Sequence, residues 1–166
     1  MREQTTVFQT QWGWIELTVS EKGVTSIVLP SPRGGRKNGR AATRTCDQTG
    51  ASASMLSEGK KQLMEYLTGG RRDFSMPVDM TAGTPFQRRV WRAILRIPYG
   101  RVRSYQWVAR RVGGKQYARA VGMALGANPV PIIVPCHRII SCDGPLGGFG
   151  CGLPMKRRLL KLEGTL

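Results

Sequence analysis

The stretch IIVPCHRII, residues 132–140, places a cysteine directly before the only histidine of the chain, Cys136 and His137, inside an otherwise apolar run. A cysteine attacks as its thiolate, and a free thiol with a pKa of about 8.5 is mostly protonated at neutral pH. A histidine can take that proton, directly or through a water. A carboxylate behind the histidine fixes its tautomer and stabilises the imidazolium. Residues 85–166 hold only two acids, Asp143 and Glu163. Glu163 falls at the end of an apolar helical pattern, where negative charge opposes the helix dipole, and a local rule broken in this way points to function. The plain alternative is a terminal glutamate paired with a nearby arginine. Adjacency of Cys136 and His137 does not by itself define a site, because neighbours on a strand point to opposite faces.

The remaining cysteines are Cys46, Cys142 and Cys151, with no CxxC pair. With one histidine, the chain offers no zinc set of ordinary spacing, and no metal is expected. Disulfides are not expected in a reducing compartment, and most of these cysteines read as small buried hydrophobes.

Charge points to a partner. The chain carries 26 Lys and Arg against 10 Asp and Glu. Residues 85–166 hold 15 of the bases but 2 of the acids, so one half is strongly cationic. That asymmetry suits a polyanion, with nucleic acid the commonest, over a charge that merely aids solubility. The apolar runs are too short to span a bilayer, and MREQTTVFQTQWGW lacks the apolar core of a signal peptide. A cytoplasmic protein without membrane attachment is the expectation.

The elements that must position Cys136 follow from patterning. Residues 7–29 read as two strands turning at Glu21–Gly23, with Ile15, Leu17 and Val19 alternating against Trp14, Glu16 and Thr18. Residues 30–54, rich in Gly, Pro, Ser, Thr and Arg, read as a long mobile loop containing Cys46. A helix follows with Leu56, Leu63, Met64 and Leu67 on one face, then a short extended segment. Residues 81–84 join two units, 1–80 and 85–166. The second opens with a helix capped by Thr84 and started by Pro85, its stripe formed by Phe86, Val90, Trp91, Ile94 and Leu95 and its end set by Pro98. Residues 104–129 read as helix–turn–helix, capped by Ser104 and turned by Gly113 and Gly114. In the second helix Ala118, Gly122 and Gly126 recur every four residues as a bare stripe, with Arg119 beside it. Such a stripe lets the helix approach either a packed neighbour or a DNA groove, and the cationic surroundings favour DNA. Ile132–Val134 read as buried, and Pro135 breaks pairing just before Cys136. A glycine-rich loop with an Asp143–Gly144 turn follows. The closing helix turns Met155, Leu159 and Leu162 inward.

NPVPIIVPCHRII closely resembles the active-site signature of the O6-alkylguanine-DNA alkyltransferases, also called methylated-DNA–protein-cysteine methyltransferases. The resemblance runs over about residues 84–164, through GTPFQRRVWRAILRIPYGRVRSY, ARAVG and the closing LLKLEG, and over residues 1–80 is limited to an opening hairpin and the later helix. It implies an α/β (α+β) protein: an RNase H-like α+β unit, then a helical, winged-helix-like DNA-binding and catalytic unit. It implies that Cys136 accepts the alkyl group, His137 acts as base through a water, Glu163 orients His137, and Tyr105 assists the departing purine. It implies that the second helix enters the minor groove of double-stranded DNA, with Ser104, Ala118, Gly122 and Gly126 at that surface. Arg119 then fills the gap left by a flipped base, and Asn128 serves as hinge. Pro131, Ile139 and Phe149 line the pocket, with the Gly150 amide near O6. A monomer consumed in one turnover, needing no cofactor, is implied, with O4-alkylthymine as a further substrate.

Two positions depart from the family pattern. Gly150 stands where some relatives have serine, leaving a backbone donor alone, and Leu162 precedes Glu163 where histidine is frequent. The rival readings are a non-catalytic protein that flags alkylated DNA, which in this family lacks the cysteine, and a cysteine hydrolase of acyl substrates, which leaves the cationic half unexplained.

Overall fold

The computed structural model describes residues 3–30, 51–142 and 146–166. Most of the loop expected over 30–54, with Cys46, lies outside the described residues, as does the Asp143–Gly144 turn. The chain divides into two compact units, Met1–Asp79 and Met80–Leu166.

The first unit is a three-stranded antiparallel sheet in the order β1 (Gln4–Thr10), β2 (Gly13–Ser20), β3 (Gly23–Val28), packed against α1 (Ala51–Leu67). Three strands stand where two were expected, because the chain reverses at Gln11–Trp12. There Thr10 Oγ1 donates to the Gly13 carbonyl at 2.7 Å and accepts the Trp12 amide at 3.1 Å, a side-chain-built turn finished by Gly13 at φ +116°. Beyond it Ile15, Leu17 and Val19 are buried and Trp14 is 47% exposed, as the alternation predicts, but Thr18 of the opposite face is buried too, its hydroxyl paired with that of Thr5 at 2.9 Å. Helix α1 starts at Ala51, so residues 51–54 are helical rather than loop. It approaches the sheet closely at Gly59, where a Cβ would stand 2.9 Å from Leu17.

The second unit holds α2 (Pro85–Ile94), β4 (Arg103–Ser104), α3 (Tyr105–Val112), α4 (Ala118–Gly126), β5 (Ile139–Ile140) and α5 (Leu153–Leu162), with 3-10 turns at Lys115–Tyr117 and Cys136–Arg138. Thr84 and Gln87 form a reciprocal capping box ahead of Pro85. Helices α2, α3 and α4 pack on one another around Val90, Ile94, Val108 and Val121, and Trp91 Nε1 donates to the Ala124 carbonyl at 2.9 Å. Leu95, expected on the buried stripe, is 40% exposed, because α2 ends at Ile94 and Ile97 fills the core instead. The α3–α4 connection runs through Gly113 at φ +153°, where a Cβ would strike the Tyr117 ring. Strands β4 and β5 pair in parallel, Arg103 with Ile139 and Ser104 with Ile140. This short pairing sets the head of α3 beside the segment that follows Cys136. No described helix is long and apolar enough to cross a membrane.

Candidate active site

Cys136 is positioned by a chain of tight turns. Val134 accepts the Cys136 amide at 2.8 Å across Pro135, whose φ of −82° and ψ of 64° make an inverse γ-turn. The Arg138 amide then returns to the Pro135 carbonyl at 3.0 Å, winding Cys136–Arg138 into one 3-10 turn. Neighbours on such a turn stand about 120° apart, so the thiol and the imidazole face different groups. Just upstream Ile132 holds φ +77°, a backbone state that a β-branched residue rarely adopts and that surrounding structure must enforce. Asn128 ties the segment together. Its Nδ2 donates to the Val134 carbonyl at 2.9 Å and to Cys136 Sγ at 3.1 Å, while its Oδ1 accepts the Val130 amide.

Behind the thiol lies a buried ionic cluster. Glu163 Oε1 accepts His137 Nε2 at 2.9 Å and Arg138 Nη2 at 2.9 Å, and Oε2 accepts Arg138 Nε at 3.0 Å and the Gly100 amide at 3.1 Å. Arg138 Nη1 donates to the Ile97 carbonyl at 2.6 Å. A carboxylate paired with arginine can only accept, so Nε2 carries the imidazole proton and Nδ1 carries the lone pair. Burial lowers the His137 pKa against the opposing pull of Glu163, so the ring is neutral at neutral pH and competent as a base. Burial also pushes the Cys136 thiol up to about 11, although the Asn128 donor and the Lys156 charge oppose it. The nucleophile therefore rests as thiol and needs a base. Burial raises the Tyr105 phenol above its ordinary range, which keeps it a donor.

Cys136 opens on a pocket of about 450 Å³ lined by Tyr105, Cys136, Ser141, the glycine-rich wall of residues 147–150, and the Ala118, Gly122 and Gly126 stripe of α4 with Arg119 and Leu125. The structure thus gathers Cys136, Tyr105, Ala118, Arg119, Gly122, Gly126, Phe149 and Gly150 around one cavity. Pro131 and Ile139 are buried and outside its lining. Ser104 caps α3, accepting the Trp107 amide at 3.1 Å. His137 and Glu163 are buried, away from the lining.

Sequence reasoning missed three residues. Arg138 and Gly100 are recruited by Glu163: pairing with a nearby arginine was the plain alternative, without Arg138 being named, and it holds together with the His137 contact, while Gly100 carried no signal. Lys156 is fully buried on α5. Its signal was present: it occupies an apolar-face position of the helical pattern, between Met155 and Leu159. Among the described residues no group of three or more His, Cys, Asp or Glu could hold a metal ion.

Residues 85–165 match the family model of the 6-O-methylguanine DNA methyltransferase DNA-binding domain. The chain is 51% identical over 102 residues to a methylated-DNA–protein-cysteine methyltransferase of Mycobacterium bovis, a stretch covering 61% of each protein, so it spans about three fifths of that relative's length. It is 35% identical over 159 residues to the enzyme of that name from Methanosarcina acetivorans, covering 96% of this chain and 97% of the relative. Among solved structures, the O6-methylguanine methyltransferase of Mycobacterium tuberculosis superposes with a TM-score of 0.76 at 34% identity, covering 98% of this chain and 93% of that one. A structure of the same organism's OGT in complex with DNA gives 0.76 at 36% identity, covering 98% and 92%. The chain belongs to the methylated-DNA–protein-cysteine methyltransferase family.

Proposed function

We propose that the protein repairs DNA by moving the alkyl group of O6-alkylguanine onto its own Cys136, in one irreversible turnover. The observation that carries this reading is a buried thiol at the floor of a cavity whose other wall is the bare face of α4. The cavity is large enough for a base, and a helix face of Ala118, Gly122 and Gly126 lets a duplex approach as far as the backbone. Helices α3 and α4 then serve as a helix–turn–helix that enters the minor groove, within a winged-helix unit, and the first unit is RNase H-like.

In the proposed step the Cys136 proton passes through a water to His137 Nδ1, and Glu163 and Arg138 hold the ring for it. The thiolate attacks the alkyl carbon in line. A sulfur–carbon bond forms, the carbon–O6 bond breaks, and its electron pair remains on the purine, which takes up a proton. Tyr105 and the Gly150 amide face that purine from the pocket wall. The thioether product has no easy hydrolytic return, so each molecule acts once.

The test is intact-protein and peptide mass spectrometry after mixing with a duplex bearing one O6-methylguanine. The expected result is one added methyl, on the peptide containing Cys136, with no second. Tight binding to the lesion with no mass change would make the protein a damage-recognition module instead.

Arg119 is exposed and lines the pocket at the first turn of α4. If it fills the space of the extruded base, it offsets a flipping cost of a few kcal/mol. Arg119→Ala is expected to slow reaction with duplex substrate by about 10–100-fold and with free O6-benzylguanine by less than about 3-fold. Equal losses on both substrates would remove Arg119 from base extrusion.

A further inference from the structure

Lys156 is a buried cation that the transfer chemistry above does not use. It stands in the first turns of α5, seven residues before Glu163, so both lie on the inner face of one helix two turns apart. Its Nζ donates to three backbone carbonyls: Ile139 of β5 at 2.5 Å, Leu146 at 2.5 Å and Gly148 at 3.2 Å. An ammonium has three protons, and here each has an acceptor. The Gly148 carbonyl also accepts the Tyr105 hydroxyl at 3.4 Å. Gly147, between the two clamped carbonyls, lies so close to Tyr105 that a Cβ there would stand 2.7 Å from its ring. Leu146 and Phe149 of the wall are only half-buried, and the ammonium joins the wall to the strand that follows the nucleophile.

We propose that Lys156 is a positioning residue for the alkyl transfer, its ammonium clamping the wall of residues 146–148 to β5 and thereby setting where Tyr105 and the bound purine stand relative to Cys136. The inference rests on the functional reading above. It assigns α5 two tasks: Glu163 holds the base from one end, and Lys156 holds the pocket wall from the other. A misplaced wall costs both purine affinity and alignment, and misalignment of a reacting group by about 1 Å costs on the order of 100-fold in rate.

Burial also lowers the Lys156 pKa to about 8, so the clamp loosens within an accessible range. Below that value the amine holds three protons; above it, two, and one carbonyl is released. The groups that face it are Cys136 and His137 of the 3-10 turn, which feel its charge, with Arg138 beside them, Tyr105 of α3 and Glu163 at the C-cap of α5; Arg110 and Arg111 of α3 and Arg157, Arg158 and Lys161 of α5 are exposed. Cys136 titrates near 11, His137 below its ordinary range and Tyr105 above its own.

The experiment measures labelling by free O6-benzylguanine for the wild type, Lys156→Met and Lys156→Arg, as limiting rate and half-saturating concentration at pH 7 and pH 9.5. Lys156→Met is expected to raise the half-saturating concentration about 10-fold or more and to lower the limiting rate, with Lys156→Arg within about 3-fold of wild type. Wild-type affinity is expected to weaken at pH 9.5, and that weakening to vanish in Lys156→Arg, which stays charged. The wild-type and arginine profiles decide the matter even if Lys156→Met fails to fold. Equal constants for Lys156→Met and wild type, or the same pH dependence in Lys156→Arg and wild type, would overturn the proposal. A wild type that is never labelled would overturn the alkyltransferase reading, and this inference with it.

Discussion

Cys136→Ser is expected to take no methyl from an O6-methylguanine duplex over hours, a loss on the order of a million-fold, the scale seen when a covalent nucleophile is removed. Serine keeps the hydrogen-bonding shape of the site, since Asn128 can donate to an oxygen as it does to sulfur. What it lacks is a polarisable nucleophile whose proton a neutral imidazole can take. The side chain is only 7% exposed and lies at the pocket floor, not on the face of α4. Affinity for the lesion duplex, read by fluorescence anisotropy, is therefore expected to survive within a few-fold, leaving a trapped complex. Methyl transfer persisting in this variant would move the acceptor to another residue.

The resting thiol has a second consequence. With Cys136 held up near 11, on the order of one molecule in ten thousand carries thiolate at pH 7. Iodoacetamide is accordingly expected to modify the exposed Cys142 before Cys136. Reactivity then belongs to the assembled site, in which a substrate in the pocket and His137 act together.

Much of this was legible in the sequence, where local chemistry decides the outcome. Thr84 and Pro85 spell a helix start in one dimension, and the alternation of Ile15, Leu17 and Val19 names the buried face of β2 without reference to any other segment. The α4 stripe was legible as a bare face, and its spacing alone left two uses open. What remained hidden depends on contacts between distant segments. The β4–β5 pairing is two residues long, too short for any periodic signal, yet it brings Tyr105 beside the cysteine segment. The positive φ of Ile132 runs against its residue type and exists because the turns around it enforce it. The helical pattern sets Lys156 on an apolar face, but its use stays hidden until its three carbonyl partners, 8 to 17 residues away, are known.

Glu163→Gln carries the largest expected stability effect, because it removes one charge from a buried pair and leaves the other. Arg138 is 6% exposed and Glu163 5%, and the carboxylate accepts from His137, Arg138 and the Gly100 amide together. Gln can accept on one atom only, and its amide NH₂ faces donors. An unpaired buried guanidinium costs about 3–5 kcal/mol, which urea unfolding of the variant against wild type will read. The same substitution acts on the base. Glu163 raises the His137 pKa through its hydrogen bond and its charge, while burial and Arg138 lower it. Without Glu163 both upward influences go, so the imidazole becomes still harder to protonate and a weaker base. For a group whose folded pKa is depressed, the neutral form present above the unfolded value, about 6.5, is lost as pH falls through the folded value. The acid limb of the transfer rate therefore lies below pH 6.5 in wild type and is expected to move lower in Glu163→Gln, while the plateau rate drops by about 10–100-fold. A limb that moved upward would mean that Glu163 does not act on His137 and that the cluster serves stability alone.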